Sequence, residues 1–332
     1  MESDILQGLD EDQCNAVQSA ASAVCIAGPG SGKTRALVAK AEFLASEQKV
    51  RDVICLTFTR AAAQEIRSRT PGIVAGTIHS FCHSVVGWER DHDDLLARYI
   101  MDGKDKFDWV LVDEVQDLTP EQMEVTLSLV KKGGHIFAVG DPYQSIYGYG
   151  GAMGAESMDV LIGSGCEYFE LKNNYRSTQK VCDRLNTIYA RGTRSVGTNE
   201  NGITAILCRS NDAVASASDI LKGEKIGHSV RSSGRREHKF FGSKDIRIST
   251  IHKAKGLEFS NVILHGWQPF KKTKWSSIDE EMNVYYVAVS RAVSGYAETF
   301  NELDLTLQLE NYIPNLYQEH IYTPKSRKEN NA

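Results

Sequence analysis

The stretch Ser22-Ala23-Val24-Cys25-Ile26-Ala27-Gly28-Pro29-Gly30-Ser31-Gly32-Lys33-Thr34 decides the fold. Residues 22–27 are short and apolar, as a buried strand is. The glycines that follow let the backbone curl until its N–H groups converge on an anion. Lys33 adds a point charge suited to the β and γ phosphates of a nucleotide, and the Thr34 hydroxyl suits a magnesium ion. Leu37, Ala41 and Leu44 then share one face of a helix over 34–45. The phosphates therefore meet a helix N-terminus, whose dipole favours anions. Ala27 stands where the simplest form of this pattern has glycine. The backbone cradle, from Ala27 to Thr34, does not depend on that change.

A second stretch supplies what hydrolysis needs. Val110-Leu111-Val112-Asp113-Glu114-Val115-Gln116-Asp117 is an apolar strand that ends in carboxylates. Asp113 is placed to hold magnesium, and Glu114 to polarise an attacking water as general base. Alone, such a charged pair is often a solvated strand end. Paired with the phosphate loop, it describes a protein that binds ATP with Mg2+ and hydrolyses it.

Composition bounds the rest. A chain of 332 residues that is 41% hydrophobic suits two ordinary domains, each with a core. The net charge of −5 offers no global basic field for a nucleic acid, so such a partner must lie in a local groove. The seven cysteines (14, 25, 55, 82, 166, 182 and 208) are scattered without a Cys-x-x-Cys pair. That pattern argues for a reducing compartment and against a zinc ribbon. No apolar run has membrane-spanning length, and the acidic start Met1-Glu2-Ser3-Asp4 is no signal peptide.

Strands and helices alternate. Apolar runs predict strands at 23–27, 53–57, 73–75, 109–113 and 135–139 in a first block. A second block has strands at 168–171, 203–208, 246–249 and 261–265, with helices at 178–189, 212–221 and 279–293. Thr119-Pro120-Glu121-Gln122 has the chemistry of a helix start, with a capping Thr, an early Pro and Gln at the capping-box position. Alternation of this kind implies parallel sheets covered on both faces. Glycine-rich 148–154 and a seam near 165 divide the chain into domains 1–165 and 166–323, with a small insertion near 83–107 and a polar tail at 324–332. Residues 192–202 and the basic run 232–244 read as loops.

With both nucleotide segments placed, the remaining motifs fall into a known order. From about Leu9 to Ala292 the sequence resembles a superfamily 1 helicase of the UvrD/Rep type, in a compact form with reduced or absent insertion subdomains. The resemblance implies an α/β fold of two RecA-like P-loop NTPase domains, each a mostly parallel sheet flanked by helices, with ATP in the cleft between them. In Leu9-Asp10-Glu11-Asp12-Gln13 it implies that Gln13 reads the adenine edge, with Arg35 packed nearby. Thr57-Phe58-Thr59-Arg60 and Gly76-Thr77-Ile78-His79-Ser80-Phe81 resemble DNA-contacting segments, implicating Phe58, Thr59, His79 and Phe81. In Val139-Gly140-Asp141-Pro142-Tyr143-Gln144-Ser145-Ile146-Tyr147-Gly148, Gln144 would sense the γ-phosphate while Tyr147 and the following Tyr149 meet bases. For these aromatic residues, core packing stands as the other reading.

The resemblance extends through the second block. In Asn174-Tyr175-Arg176-Ser177, Tyr175 would stack on the adenine and Arg176 would reach the γ-phosphate. In the segment Thr250 to Phe259, Glu258 would lie near the ribose and His252 and Lys255 near DNA. Arg291, in Val289-Ser290-Arg291-Ala292, would be a second arginine finger. Two departures are local. Tyr149-Gly150 replaces the family's Trp-Arg, and Met282-Asn283 replaces a basic pair.

The activity implied is an ATP-dependent DNA helicase or translocase, moving 3′ to 5′ on single-stranded DNA and acting on tailed duplex DNA. The setting implied is a bacterial or viral host cytoplasm, with a replication or repair protein as partner and no membrane. The missing insertions leave an alternative open: a DNA-stimulated ATPase switch that remodels or recruits a protein with little unwinding of its own.

Overall fold

Neighbouring residues of the central strands point into different cores, as a sheet covered on both faces requires. In β1 (Ala23–Ala27), Val24 joins one apolar cluster and Cys25 another. Ile54 and Cys55 of β2 (Val53–Thr57) divide the same way, as do Val110 and Leu111 of β4 (Phe107–Val112). The computed structural model describes residues 5–46, 48, 50–58, 60–87, 92–102, 106–197, 202–231, 237–240, 246–267, 276–301, 305, 308 and 309. The chain forms two units: Met1–Thr198 with Phe270–Ser290, and Asn199–Pro269 with Arg291–Ala332.

In the first unit, α1 (Glu11–Gln18), α2 (Lys33–Ser46) and α3 (Arg60–Arg69) bring Ala16, Leu37, Leu44 and Ile66 to one face of the sheet. The other face is covered from α4 (Ile78–Val86), α5 (His92–Asp102), α6 (Pro120–Ser128) and α7 (Glu156–Gly163), through Cys82, Tyr99, Met123 and Leu161. With β3 (Val74–Thr77), β5 (Val130–Gly140) and β6 (Glu167–Leu171), the strand order is β3-β2-β4-β5-β1-β6, all parallel. A short ladder of β7 (Asn173–Asn174) and β8 (Arg194–Ser195) flanks α8 (Gln179–Ile188).

The second unit holds β9 (Thr204–Cys208), α9 (Asn211–Gly223), β10 (His228–Arg231), β11 (Glu237–Phe240), β12 (Ile246–Thr250), α10 (Ile251–Ala254), β13 (Phe259–His265) and β14 (Ala292–Thr299). Its order is β11-β10-β12-β9-β13-β14, parallel except for β11 on β10. Val214, Ala217 and Leu221 of α9 pack on Ile206, Ile248 and Ile263.

Four expectations change. The seam near 165 gives way because 167–171 pairs with β1 and completes the first sheet. Helix α11 (Ile278–Ser290) belongs to the first unit, where it packs on α8 and on the turn at 142–144. The helix expected to run through 293 stops at Ser290, and 292–299 instead becomes β14, paired along β13. Within the run 232–244, read as a loop, residues 237–240 form β11, paired antiparallel with β10. In the region read as a small insertion, α5 places Leu95, Leu96 and Tyr99 in the core. Among the described residues, no helix is long and apolar enough to cross a membrane.

Lys40 is fully buried on α2, its Nζ donating to Val17 O at 3.1 Å and Ser19 O at 2.5 Å and lying 4.2 Å from the Trp109 ring centroid. It satisfies carbonyls at the C-terminal end of α1 that have no helical donor. Lys40→Ala removes that donor and opens a void, with an expected loss of about 2–5 kcal/mol. An unchanged urea midpoint for the variant would show the contact to be dispensable. Burial pulls the Lys40 pKa down to about 8, so its charged form is a cost in the folded state. That cost is full below pH 8 and fades as pH rises toward the unfolded value of 10.5.

Candidate functional site

The phosphate loop is tight because two glycines hold left-handed backbone, Gly30 at φ +71° and Gly32 at φ +79°. Close approach forbids side chains there as well. A Cβ on Gly30 would lie 2.6 Å from Asn174 Oδ1, and one on Gly32 would lie 2.7 Å from Gln13 Nε2. Ser31 Oγ donates to Gly28 O at 2.7 Å, closing the loop on itself. Lys33 opens α2 and its Nζ donates to Ala27 O at 3.2 Å and Gly28 O at 3.4 Å. Burial pulls the Lys33 pKa below the ordinary lysine range, against the opposing pull of Glu114, Asp141 and Asp113.

Asp113 follows β4 and is 5% exposed. Its Oδ2 accepts from Thr34 Oγ1 at 3.2 Å and its Oδ1 from the Glu114 amide at 2.9 Å. Burial, then the charge of Glu114, pushes its pKa up to about 7, with Lys33 opposing. A buried carboxylate in that condition, beside a hydroxyl, is a hard-oxygen donor set short of positive charge. Magnesium fits it. Glu114 holds left-handed backbone at φ 51°, ψ 46°, a costly conformation for a non-glycine residue. Its Oε2 accepts from Gln116 Nε2 at 2.6 Å.

From Gln116 the network runs on. Gln116 is fully buried, and its Oε1 accepts the Asp141 amide at 3.0 Å. Asp141 Oδ2 accepts from Gln144 Nε2 at 2.8 Å, and its Oδ1 pairs with Arg191 at 2.6 Å. The structure thus brings Lys33, Thr34, Asp113, Glu114 and Gln144 into one site. Asn174 locks the next segment onto the loop. Its Nδ2 donates to Pro29 O at 2.9 Å, its Oδ1 accepts the amides of Arg176 and Ser177, and the Tyr175 amide donates to Gly30 O at 2.8 Å. Arg176 Nη1 reaches Ser290 O at 3.4 Å.

Asp10 caps α1 in a reciprocal box with Gln13, and Gln13 Nε2 donates to Ser31 O at 2.8 Å. The Asp10 carboxylate also takes the Tyr175 hydroxyl at 2.6 Å, tying together two expected adenine contacts. Burial and Asp10 push the Tyr175 pKa up to about 12. Arg35 lies alongside, its Nη2 being 2.7 Å from where a Gly8 Cβ would stand. Sequence reasoning missed Asp10, Asn174 and Arg191. The Asp-x-x-Gln spacing was a readable capping signal for Asp10, whereas nothing local marks Arg191.

A groove of about 450 Å³ is walled by Thr57, Phe58, Thr77, His79, Asp117, Leu118, Gln122, Tyr147 and Tyr149 among others. Phe58 and Tyr147 stack with ring centroids 5.4 Å apart, and Tyr149 meets Tyr147 edge-on at 6.2 Å. Phe58 is 42% exposed and Tyr149 is 65% exposed, so neither is a core residue. Phe81 departs from expectation: it packs edge-on against Tyr99 and Phe107 and does not wall the groove. Thr59 lies outside the described residues.

In the second unit, Arg291 is 2% exposed and its Nη1 donates to Leu257 O at 3.2 Å. His252 on α10 and the nearby Lys255 and Glu258 are half-buried. Asn283, one of the two departures, is put to use: it accepts the Tyr189 hydroxyl at 2.8 Å and donates to Ser145 O at 3.1 Å.

A family model described as an AAA domain matches residues 13–150, and one described as the UvrD-like helicase C-terminal domain matches 229–295. A Mycoplasma pneumoniae protein named "Probable DNA helicase" is 24% identical over 323 residues, spanning 81% of this chain and 58% of the relative. DNA helicase II of Haemophilus influenzae is 34% identical over 105 residues, or 32% of this chain and 14% of the relative. This chain therefore spans little more than half the length of the first relative. The crystal structure of Arterivirus nonstructural protein 10, a helicase, superposes on 93% of this chain and 66% of its own at a TM-score of 0.50 and 17% identity. At that identity the likeness speaks for the fold alone, two RecA-like α/β domains.

Proposed function

We propose, from the premise that the chain belongs to the UvrD/Rep-like superfamily 1 helicases, that it is a magnesium-dependent ATPase that moves 3′ to 5′ along single-stranded DNA and separates tailed duplexes. Lys33 binds the β and γ phosphates, held by the backbone of Ala27, Gly28, Pro29, Gly30, Ser31 and Gly32. A magnesium ion on Thr34 and Asp113 would polarise the terminal phosphoryl group. Glu114 orients the attacking water and accepts its proton. Gln144 senses the γ-phosphate, and Arg176 and Arg291 stabilise charge on the transferring group. Gln13, Arg35 and Tyr175 hold the adenine and Glu258 the ribose. Phe58, Tyr147 and Tyr149 stack on bases, with Thr59, His79, His252 and Lys255 along the strand.

One observation carries this reading. The segments that form the phosphate site also wall the aromatic groove. Glu114 is followed by Asp117 and Leu118, and Gln144 by Tyr147, so a change at the phosphates has a short covalent path to the bases.

The test is steady-state ATP hydrolysis with and without single-stranded DNA, with RNA in parallel and Lys33→Ala as the blank. Stimulation by DNA, lost in the variant, is the expected result. A rate indifferent to any nucleic acid would overturn the motor and favour the partner-directed switch. For polarity, a duplex with a 3′ tail should be displaced and one with a 5′ tail should not. The reverse preference would refute the direction.

A further inference from the structure

Arg191 lies in a turn that carries no motif, yet the turn is built to present it. Asn186 on α8 clasps Thr193 from both sides, its Nδ2 donating to Thr193 O at 2.9 Å and its Oδ1 accepting the Thr193 amide at 3.0 Å. Gly192 supplies the left-handed residue at φ +66° and the Arg191 amide donates to Tyr189 O at 2.7 Å. The guanidinium that this turn holds is 7% exposed and sits 5.4 Å from the Tyr143 ring centroid, with Tyr143 stacked on Tyr189 at 3.9 Å. On its other side is the phosphate loop, where a Cβ on Gly28 would lie 3.8 Å from Arg191 Cζ and Nη1. Its ionic partner is Asp141, fully buried, at 2.6 Å. Asp141 in turn accepts from Gln144 Nε2 through the opposite oxygen and from the Tyr143 amide at 3.2 Å.

We propose that Arg191 is a positioning residue for ATP hydrolysis: by pairing with Asp141 on a rigid turn, it fixes the carboxylate that orients the Gln144 amide. The inference rests on the nucleotide reading given above. Removing one member of a buried ion pair leaves the other uncompensated, and Arg191 is the residue in direct ionic contact with the Asp141 carboxylate. Without Arg191 the Asp141 carboxylate is no longer held in place, and Gln144 loses an acceptor that aligns it. A misplacement of about 1 Å at a positioning group costs as much as ~100-fold in rate. The pair fixes geometry, so its loss falls on turnover and leaves ATP affinity intact.

The test compares wild type with Arg191→Gln and Arg191→Lys, and adds Arg191→Gln to Gln144→Ala. In Arg191→Gln, kcat for DNA-stimulated hydrolysis should fall roughly 10- to 100-fold while KM for ATP stays within about threefold. Arg191→Lys, which keeps the charge, should recover part of the loss. In the Gln144→Ala background the same change should cost less than about threefold, since the two act as one unit. An unchanged kcat, a fully additive loss, or a KM raised by about tenfold or more at constant kcat would each overturn the proposal, the last by making Arg191 a direct phosphate contact. Hydrogen exchange decides the matter independently of activity. Amides of 141–148 should exchange roughly tenfold faster in Arg191→Gln while those of β1 keep their protection. No change there, or loss of protection throughout the first unit, would also overturn it. A wild type without ATPase activity would refute the nucleotide reading, and the exchange measurement would still judge the Arg191–Asp141–Gln144 arrangement.

Discussion

Glu114→Gln should lower kcat for ATP hydrolysis by about 10²–10⁴, the usual worth of a general base, while nucleotide still binds with near-native affinity. The substitution keeps size and shape and removes only the capacity to take a proton. The geometry singles out this carboxylate over its neighbour. Asp113 has both oxygens committed, one to the Thr34 hydroxyl and one to the Glu114 amide. Glu114 is held by Gln116 and by a left-handed backbone that the turn after it maintains, with the Asp117 amide donating to Glu114 O at 2.9 Å. Backbone strain kept at one acidic residue is the kind of feature that collects at reacting centres. The measurement is single-turnover hydrolysis beside equilibrium binding of a fluorescent ATP analogue. A kcat within about fivefold of wild type would remove Glu114 from the role of general base.

Phe58→Ala combined with Tyr147→Ala should cut affinity for single-stranded DNA steeply. Each aromatic–base stack is worth about 1–3 kcal/mol, or roughly 5- to 150-fold per ring. The two rings stack at an interplanar angle of 20° and line the same groove, so their effects should couple. Stability should change little, because Phe58 is 42% exposed. The rings carry no charge, so the slope of log affinity against log salt should stay as in wild type while the intercept drops. Fluorescence anisotropy with a labelled oligonucleotide over a salt series reads both quantities. Undiminished affinity would mean the groove is not where bases bind. Phe81→Ala is the useful contrast: its ring packs on Tyr99 and Phe107, so its cost should appear as lost stability and not as a specific loss of DNA.

Much of the site was legible because its chemistry is local. The left-handed glycines at 30 and 32, the lysine and threonine that open α2, and the carboxylates after β4 are all adjacent along the chain. The capping box at Thr119 and Gln122 formed as its spacing implied. Five strands, 23–27, 53–57, 167–171, 204–208 and 246–250, lie within a residue of their expected positions. The groove was half legible. The aromatic residues were visible, but Phe58 and Phe81 looked alike until their surroundings separated them, one stacked at an open groove and one wedged between core rings.

By itself, then, the sequence determined the glycine loop, the carboxylates that follow β4, the α/β class and the order of motifs. These depend on backbone conformation and on side-chain periods that a few neighbouring residues set. Only the tertiary structure decided that 167–171 completes the first sheet, that α11 packs in the first unit while the strand after it belongs to the second, and that Arg191 meets Asp141 fifty residues away. Each of these is a pairing between segments distant in the chain. Strand partners, helix seats and buried ion pairs are chosen by what the rest of the fold leaves unpaired, and a short stretch of residues carries no record of that choice.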